Sequence, residues 1–338
     1  MNIISKLAPA KASPVFDAYW QFAAERQSVF FRRIFGKGPP WTEDHIIQDY
    51  KFTNAYRASD RVSQYLISEV IYCGEQSAQE IIFRILLFKT FNKIETWEYL
   101  CAILGGICYR EFDVAVYDKI LESRRSAGAT IYSGAYIMHS GKSAFGCQRK
   151  HSNHLRLISL MMEDRIDTKI EDAKSLSEIY DLLIQYPTIG SFLAYQYTID
   201  INYSPLVDFS ENEFVVPGPG AIDGISKVFV CQGGLSEVDL IWLMQDRQEA
   251  EFERLGLDFM SLWGRPLQLI DCQNLFCEIS KYSRISHPSI VGIAKRSRIK
   301  QKFKPQSSNF EVWYPPKWGL NEKIKLSDES NFSSHLSV

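Results

Sequence analysis

YPTIGSFLAYQYTID, residues 186–200, is the stretch of sequence that decides the predicted fold of this chain. Pro187 and Gly190 mark a short turn. The apolar residues on both sides of the turn follow helical spacing, which predicts helices over 175–185 and 191–200. The stretch therefore predicts two helices joined by a glycine-containing turn.

This turn resembles the helix-hairpin-helix motif of DNA glycosylases, whose pattern is roughly L-P-G-V-G-x-K-T-A. In that motif, the glycine turn exposes backbone amides to a DNA phosphate. This chain has Thr188 in place of the first glycine, and Phe192 where bifunctional glycosylases keep a Schiff-base lysine. The resemblance therefore implies water as the nucleophile and no covalent amine chemistry. A helix–turn–helix that serves packing alone is the alternative interpretation.

The rest of the chain is dominated by helical periodicity, which predicts a mostly α fold similar to that of helix-hairpin-helix glycosylases. The segment ATIYSGAYIM, residues 129–138, is the best strand candidate and predicts a short β-hairpin. Runs with a period of two are few, so no large sheet is expected. Further helices are predicted over 14–35, 59–72, 77–91, 94–104, 111–125, 151–164, 221–230, 236–254 and 266–281.

The composition is that of a globular protein, with 338 residues that are 46% hydrophobic and 23% charged. The net charge is −2, so any surface for nucleic acid must be a local patch. The seven cysteines include no C-x-x-C pair, which argues against a disulfide scaffold and a zinc ribbon. They favour a reduced, cytoplasmic setting. No secretory signal is recognised, and the apolar runs are too short to cross a bilayer.

Three regions are predicted along the chain. Residues 1–140 form an N-terminal helical region, and residues 141–290 form the helix-hairpin-helix-like catalytic region, with both contributing to one site. Residues 291–338 form a basic, partly flexible tail. Within the tail, KRSRIKQKFK, residues 295–304, carries six basic residues and no acidic one. Contacts to DNA phosphates and a solvated tail are both open interpretations of this run.

Short motifs for nucleotide or metal binding fail in this sequence. GKS at 141–143 resembles the end of a phosphate-binding loop, but Tyr136 stands where the first glycine is required. GPGAIDG at 218–224 has the wrong spacing for dinucleotide binding and predicts a turn whose helix amides hold a phosphate. His151 and His154 lack a clustered third ligand. Neither a metal nor a cofactor is expected.

The predicted helix over 266–281 carries polar residues on one face, since their spacing is three or four residues. Its apolar neighbours indicate that the helix is largely buried, and buried charges need partners. A polar site is the favoured interpretation, and a structural network is the alternative. The residues on this face are Asp271, Asn274, Glu278 and Lys281.

Longer strings across residues 50–285 resemble the alpha-glutamyl/putrescinyl thymine pyrophosphorylase-like family, and the helical domain of 5-hydroxymethyluracil DNA kinases looks like a member too. The resemblance implies phage-linked hypermodification of DNA bases. It also extends to antiphage glycosylases that remove hypermodified pyrimidines. No kinase module is recognised in this chain, which leaves transfer and excision open. The strings are KFTNAYRASDRVSQYL, FRILLFKTFNKIETWE, IYSGAYIM, NHLRLI, YPTIGSFLAYQYTIDINYS, FVVPGPGAIDGISK and LWGRPLQLIDCQNLFCEISKYSR.

The first hypothesis is a monofunctional DNA glycosylase that excises a hypermodified pyrimidine from phage DNA, leaving an abasic site, in antiphage defence. Asp200 is the first catalytic candidate because it ends the helix after the turn. Asp208 is nearer the spacing found in glycosylases, and Asp271 is the third candidate. Predicted substrate contacts are Asn54, Arg57, Asn202, Tyr203, Asn274, Glu278 and Lys281. Predicted contacts to the DNA backbone are Gly190, Ser191, Gly218, Gly220 and Lys227.

The second hypothesis is a transferase that joins an amine or amino acid to pyrophosphorylated 5-hydroxymethyluracil in DNA. The same carboxylates would bind the amine, and Arg57 and Lys281 would hold the diphosphate. The third is a non-catalytic reader that binds modified DNA without changing it, or a helical partner protein. The expected partner is double-stranded DNA that carries modified bases, and no membrane is expected. Protein partners are not indicated.

Overall fold

The structure, a computed structural model, describes residues 9–136, 138–304 and 311–325. These residues are mostly helical, which confirms the predicted mostly α class. The chain divides into two compact units, each assembled from segments distant in sequence. Unit 1 comprises Met1–Asp60, Glu211–Val312 and Leu320–Val338, and unit 2 comprises Arg61–Ser210 and Trp313–Gly319. The predicted regions with limits at 140 and 290 stay a prediction.

Unit 1 is built around the packing of two helices, α12 (Pro219–Val228) and α14 (Leu269–Ser286). Helix α12 begins with Pro219 directly after Gly218, a favourable position because proline lacks the amide that a first turn leaves unpaired. The elements of unit 1 are β1 (Lys11–Ala12), α1 (Val15–Ile34), α2 (His45–Asp49), a 3₁₀ turn (Arg57–Ser59), α12 (Pro219–Val228), β2 (Phe229–Cys231), α13 (Glu237–Arg254) and α14 (Leu269–Ser286).

The core of unit 1 is aromatic. On α1, Tyr19 and Trp20 are fully buried. The Tyr19 ring lies 4.9 Å from the Phe276 ring of α14, and the Trp20 ring lies 5.1 Å from the Phe252 ring of α13 in an edge-to-face arrangement. Such pairs contribute about 0.5–1.5 kcal/mol beyond the burial of their area. The rings therefore join α1 to both C-terminal helices of the unit.

Unit 2 surrounds a buried central helix, α4 (Ala78–Phe91). Its residues from Glu80 to Phe91 are all buried, as expected for a helix whose apolar residues are distributed around its whole circumference. The elements of unit 2 are α3 (Arg61–Tyr65), which continues as a π-helical turn (Leu66–Ile71), α4 (Ala78–Phe91), α5 (Ile94–Leu104), a 3₁₀ turn (Tyr109–Glu111), α6 (Val114–Ser126), α7 (Lys142–Phe145), α8 (Lys150–Glu163), α9 (Ile166–Asp172), α10 (Leu176–Ile184), α11 (Ser191–Asn202) and a 3₁₀ turn (Pro316–Trp318).

The β-hairpin predicted at 129–138 is wrong. The described residues of this segment, 129–136 and 138, contain no strand. Their backbone groups bond to neighbouring helices instead, since the Thr96 hydroxyl donates to the Ile131 carbonyl and the Ser133 amide donates to the Phe91 carbonyl. The strands that the described residues do form are β1 and β2, which pair antiparallel.

The helix predicted over 59–72 begins only at Arg61. Residues Arg57–Ser59 form a 3₁₀ turn, and Asp60 between the turn and α3 has an extended backbone. Of the predicted tail, residues 305–310 and 326–338 lie outside the described residues. None of the helices in the described part of the chain combines the length and apolarity needed to span a bilayer.

Candidate functional site

The helix–turn–helix predicted from residues 186–200 is present. Helix α10 ends at Ile184, one residue before the predicted limit. Helix α11 begins at Ser191 as predicted but continues to Asn202, so Asp200 lies within its last turn rather than at its end. Gly190 and Ser191 are exposed at the start of α11, where the first amides of a helix have no partner within the helix. Their predicted contact with a DNA phosphate stays a prediction, and the exposure of this turn is consistent with it.

Thr188 adopts a left-handed backbone, with φ of +72°, at the position where the glycosylase motif has glycine. For a β-branched residue this conformation is strained. Its hydroxyl oxygen is also buried without a hydrogen-bond partner among the described residues. The turn therefore keeps the backbone shape of a glycine turn with a residue that fits it poorly.

Thr188→Gly is expected to raise the free energy of unfolding by about 1 kcal/mol, because it removes both the backbone strain and the unpaired hydroxyl. Urea denaturation of the two proteins measures the difference. Thr188→Ala is the control, since alanine removes the hydroxyl but keeps a side chain at positive φ. A glycine variant that is less stable than the alanine variant would contradict this reasoning.

Asp200 is fully buried on α11 and forms an ion pair with a lysine of α4. The Lys89 Nζ lies 2.7 Å from the Asp200 Oδ2, and the two side chains are 3% and 1% exposed. Taking two charges out of water is costly, so such a pair is weak evidence for stability alone. Lys89 was not among the predicted site residues. A lysine inside the apolar run IIFRILLFKTF was the signal that could have revealed it.

Two half-buried aromatic rings lie beside this ion pair. The Lys89 Nζ is 4.0 Å from the centre of the Tyr136 ring, a cation–π contact. The Tyr136 ring stacks nearly parallel on the Phe192 ring, with 5.8 Å between centroids and 8° between planes. Tyr136 has φ of +55°, and such strain concentrates at functional sites. These four residues, Lys89, Tyr136, Phe192 and Asp200, are called the lysine–aspartate site below.

The residues behind the lysine–aspartate site are held by hydrogen bonds. The Tyr197 and Thr90 hydroxyls lie 3.0 Å apart, and burial raises the pKa of Tyr197. The ring nitrogens of His154 lie 2.8 Å from the Tyr132 hydroxyl and 2.7 Å from the His139 carbonyl. Burial lowers the pKa of His154 to about 4, so the ring is neutral. His154 thus fixes the segment that carries Tyr136.

The other predicted residues near the end of α11 have structural contacts. The Asn202 side chain bonds both backbone groups of Phe209, and so closes the intervening loop. Tyr203 is buried, and its carbonyl accepts a hydrogen bond from the Tyr72 hydroxyl. The Asp208 side chain is 78% exposed and lies 3.8 Å from the Lys317 Nζ. Of these residues and Asp200, only Asp200 is part of the lysine–aspartate site.

The polar face predicted on α14 is found within unit 1, where it contacts residues 53–54. The Glu278 carboxylate accepts a hydrogen bond from the Thr53 amide at 3.2 Å and pairs with the Lys281 Nζ at 2.6 Å. The Asn274 amide donates to the Thr53 hydroxyl at 3.0 Å. Asn54 accepts a hydrogen bond from the Arg26 guanidinium at 2.6 Å. These contacts form a network that joins α14 to the loop after α2.

Asp271 holds the start of α14. Its two carboxylate oxygens accept hydrogen bonds from the backbone amides of Arg57 and Gln268, at 2.7 and 3.0 Å. Burial raises the pKa of Asp271 to about 7, and the charge of Glu211 adds to the effect. Arg57 is itself buried. The structure therefore gives Asp271 a capping contact, while its predicted catalytic role stays a prediction.

The glycine-rich stretch 218–224 begins α12, as predicted, but only Gly218 precedes the helix, which starts at Pro219 instead of the predicted residue 221. Gly218 is buried and Gly220 is partly exposed. Lys227 is buried, and its Nζ donates to the Ser280 carbonyl at 2.8 Å and lies 3.9 Å from Asp223. Its ammonium group therefore has partners inside unit 1. Among the described residues, no group of three or more histidine, cysteine or acidic side chains could hold a metal ion.

The family of this chain follows from its similarity to known proteins. Residues 13–292 match the family described as "5-hmdU DNA kinase, helical domain". The chain belongs to this family. It is also similar to a 5-hmdU DNA kinase of Bacillus phage SP10, with 28% identity over 300 residues that cover 83% of this chain and 47% of the relative. The chain thus spans about half the length of the curated relative it matches. No solved structure matches it significantly.

The family match confirms the predicted resemblance to the helical domain of 5-hydroxymethyluracil DNA kinases. It also corrects the first functional hypothesis. The prediction of a DNA glycosylase, a hydrolase acting in antiphage defence, is wrong, because both comparisons name a DNA kinase, which is a transferase. The transferase hypothesis agrees better with them. The relation to helix-hairpin-helix glycosylases stays a prediction.

Proposed function

We propose that this chain is part of a transferase that modifies the 5-hydroxymethyl group of 5-hydroxymethyluracil in double-stranded DNA. The family match and the name of the phage relative support the substrate class. The observation that carries the proposal is the buried Lys89–Asp200 ion pair beside the stacked rings of Tyr136 and Phe192. This arrangement places two stacked, half-buried rings beside a buried pair of opposite charges.

In this proposal the modified pyrimidine leaves the base stack and enters the protein, as bases do in many enzymes that carry out chemistry on them. Aromatic side chains then replace the lost stacking, and each base–aromatic contact contributes about 1–3 kcal/mol. Tyr136 and Phe192 are only half-buried, so part of this aromatic pair is exposed to solvent, and this exposure supports its proposed role as the stacking surface. In this proposal the 5-substituent of the stacked base approaches Lys89, which contacts the Tyr136 ring and pairs with Asp200.

The chemistry of the ion pair suits transfer at a hydroxymethyl group. In phosphoryl transfer, the hydroxymethyl oxygen forms a bond to the phosphorus while the bond to the leaving phosphate oxygen breaks. Asp200 accepts the hydroxyl proton, the role of a general base. Lys89 stabilises negative charge on the transferred phosphoryl group. The nucleotide donor site is not assigned to this chain, because Tyr136 replaces the first glycine of the phosphate-binding loop.

That missing glycine favours a second candidate reaction, the attachment of an amine to pyrophosphorylated 5-hydroxymethyluracil. Here the amine nitrogen forms a bond to the methylene carbon, and the carbon–oxygen bond to pyrophosphate breaks. Asp200 takes the proton that the amine loses, and Lys89 pairs with the departing pyrophosphate. This reaction needs no nucleoside triphosphate, so it suits a chain without a phosphate-binding loop.

The proposal includes the predicted cytoplasmic location, where such DNA would be found. All seven cysteines are free thiols in the structure. Free thiols are typical of a reducing compartment, which supports this part of the proposal.

The test uses the purified chain and two duplex oligonucleotides that differ only in carrying 5-hydroxymethyluracil or thymine at one position. One set of reactions contains a γ-labelled nucleoside triphosphate. A second set contains the pyrophosphorylated base and a simple diamine. Nucleoside mass spectrometry should show a phosphorylated or aminated product only with the modified base. The duplex that carries 5-hydroxymethyluracil is also expected to bind more tightly than the duplex that carries thymine. Equal binding of both duplexes with no product from either reaction would contradict the proposal.

A further inference from the structure

The residues after α14 form an extended strap on unit 1. Residues 295–304 contain six basic residues and no acidic one, and residues 296–304 include no helix or turn. We call residues 295–304 the basic strap. It lies outside the family match, which ends at residue 292. Its role is therefore not contained in the family description.

The basic strap is attached to unit 1 near both of its ends. At its start, the Ala294 amide donates to the Asp223 Oδ1 at 2.7 Å. Towards its end, the Lys51 amide donates to the Gln301 carbonyl at 3.0 Å. These contacts hold the backbone in place in the free protein. A ligand that binds the strap therefore does not have to order it first, which lowers the entropic cost of binding.

The cations of the strap face solvent with little compensation from acidic side chains. Lys302 pairs with Asp49 at 3.3 Å, and both side chains are more than half exposed. A pair of this kind contributes little in water. The other five cations are exposed and form no ion pair with a described residue; they are Lys295, Arg296, Arg298, Lys300 and Lys304.

Arg284 of α14 adds a further unsatisfied group beside the strap. It donates from Nη1 to the Arg298 carbonyl at 3.0 Å, but its Nε is buried without a hydrogen-bond partner among the described residues. Burial lowers the pKa of Arg284. The charge of Asp223 raises this pKa, and the charge of Arg296 lowers it further. Buried donors cost free energy when they lack an acceptor. An anion bound beside Arg284 and Arg296 would relieve the repulsion between these two arginines.

We propose that the basic strap, together with Arg284, binds the phosphate backbone of duplex DNA. The choice of DNA as the anion rests on the proposed function. Residues 296–304 span at most about 32 Å, and each strand of duplex DNA carries one phosphate per about 3.4 Å of helix axis. The strap can therefore follow several phosphates. Because the whole chain has a net charge of −2, this local charge orients DNA towards one face of unit 1.

The test measures binding of the full chain to an unmodified, fluorescently labelled duplex at a series of salt concentrations. The strap variant is Arg296→Gln with Arg298→Gln and Lys300→Gln. The matched control removes three exposed lysines of unit 2, Lys119, Lys169 and Lys174, again by change to glutamine. Because each phosphate contact contributes about 0.9 to the slope of log K against log salt, the strap variant should lower that slope by about 2.7. Its binding at moderate salt should weaken about tenfold or more.

A slope unchanged in the strap variant, or lowered equally in the control, would overturn the proposal. Binding of anionic vesicles that is lost in the strap variant, with DNA binding intact, would also overturn it. The same proteins are compared on duplexes carrying 5-hydroxymethyluracil or thymine. The strap variant should lose affinity for both duplexes by the same factor. A wild-type chain that does not distinguish the duplexes counts against the proposed function, while the slope still decides the role of the strap.

Discussion

Lys89→Ala is expected to lower the free energy of unfolding by about 3–5 kcal/mol, because it leaves the Asp200 carboxylate buried without its cation. The 2.7 Å distance between the Lys89 Nζ and the Asp200 Oδ2, and the burial of both side chains, are the basis of this expectation. Denaturation in urea, with the slope compared to that of the wild type, measures the change. Transfer activity should be lost together with stability.

A double variant separates these two losses. Lys89→Met with Asp200→Asn removes both charges and should recover most of the stability, since no unpaired charge remains. Transfer to the hydroxymethyl base should nevertheless fall by about 10²-fold or more, because the general base is gone. Measurement of kcat and KM on the modified duplex gives the result. A stable double variant with wild-type activity would remove the lysine–aspartate site from the mechanism.

The matched control is another buried ion pair, which lies on α4, the helix that carries Lys89. Arg84 and Glu80 lie 3.8 Å apart on α4, and both are nearly as buried as Lys89 and Asp200. Arg84→Met with Glu80→Gln therefore changes the same kinds of charge without touching the site. Its folded fraction should retain the transfer activity of the wild type. A comparable loss of activity would show that the effect arises from α4 as a whole.

Gly224→Ala should destabilise unit 1 by about 3 kcal/mol or more, at the upper end of what overpacking costs. A Cβ atom at this position would lie 2.0 Å from the carbonyl oxygen of Phe276 on α14. Since the clash is with backbone, no side-chain rotation can relieve it. The helices α12 and α14 would have to move apart, which disrupts the packing along both.

Gly38→Ala is the control for this change, because a Cβ at Gly38 would meet no atom within 4 Å. Its free energy of unfolding should stay within about 0.5 kcal/mol of the wild type. Thermal and urea denaturation of the two variants give the comparison. Equal stabilities for the alanine variants at 224 and 38 would show that α12 and α14 do not approach as closely as described.

Much of the helical structure could be predicted because helix-forming patterns are local. The helix predicted over 94–104 has the observed limits, Ile94–Leu104, and that over 14–35 differs from Val15–Ile34 by one residue at each end. The segment 129–138 shows the opposite case. Its β-branched and aromatic residues favour a strand, but the surrounding helices offer its backbone better partners.

The candidate site could be predicted only in part, because only its local features are visible in the sequence. Asp200 was identified because it follows the turn at 186–190 along the chain. Lys89 is more than 100 residues earlier in the sequence, and Tyr136 lies in a segment that was predicted as a strand. Neither has a local feature that links it to Asp200. The polar face on α14 was predicted correctly as a face, but its partners in residues 53–54 were not.

The sequence by itself determined the mostly helical class, the turn at 186–190 and the family, because these depend on periodicity, on turn residues and on long strings of matching residues. Only the tertiary structure decided that Lys89 pairs with Asp200, that Asp271 caps α14 and that the basic strap is held on unit 1. The physical reason is that a buried charge must find its partner in space. Which distant side chain supplies that partner depends on how the helices pack.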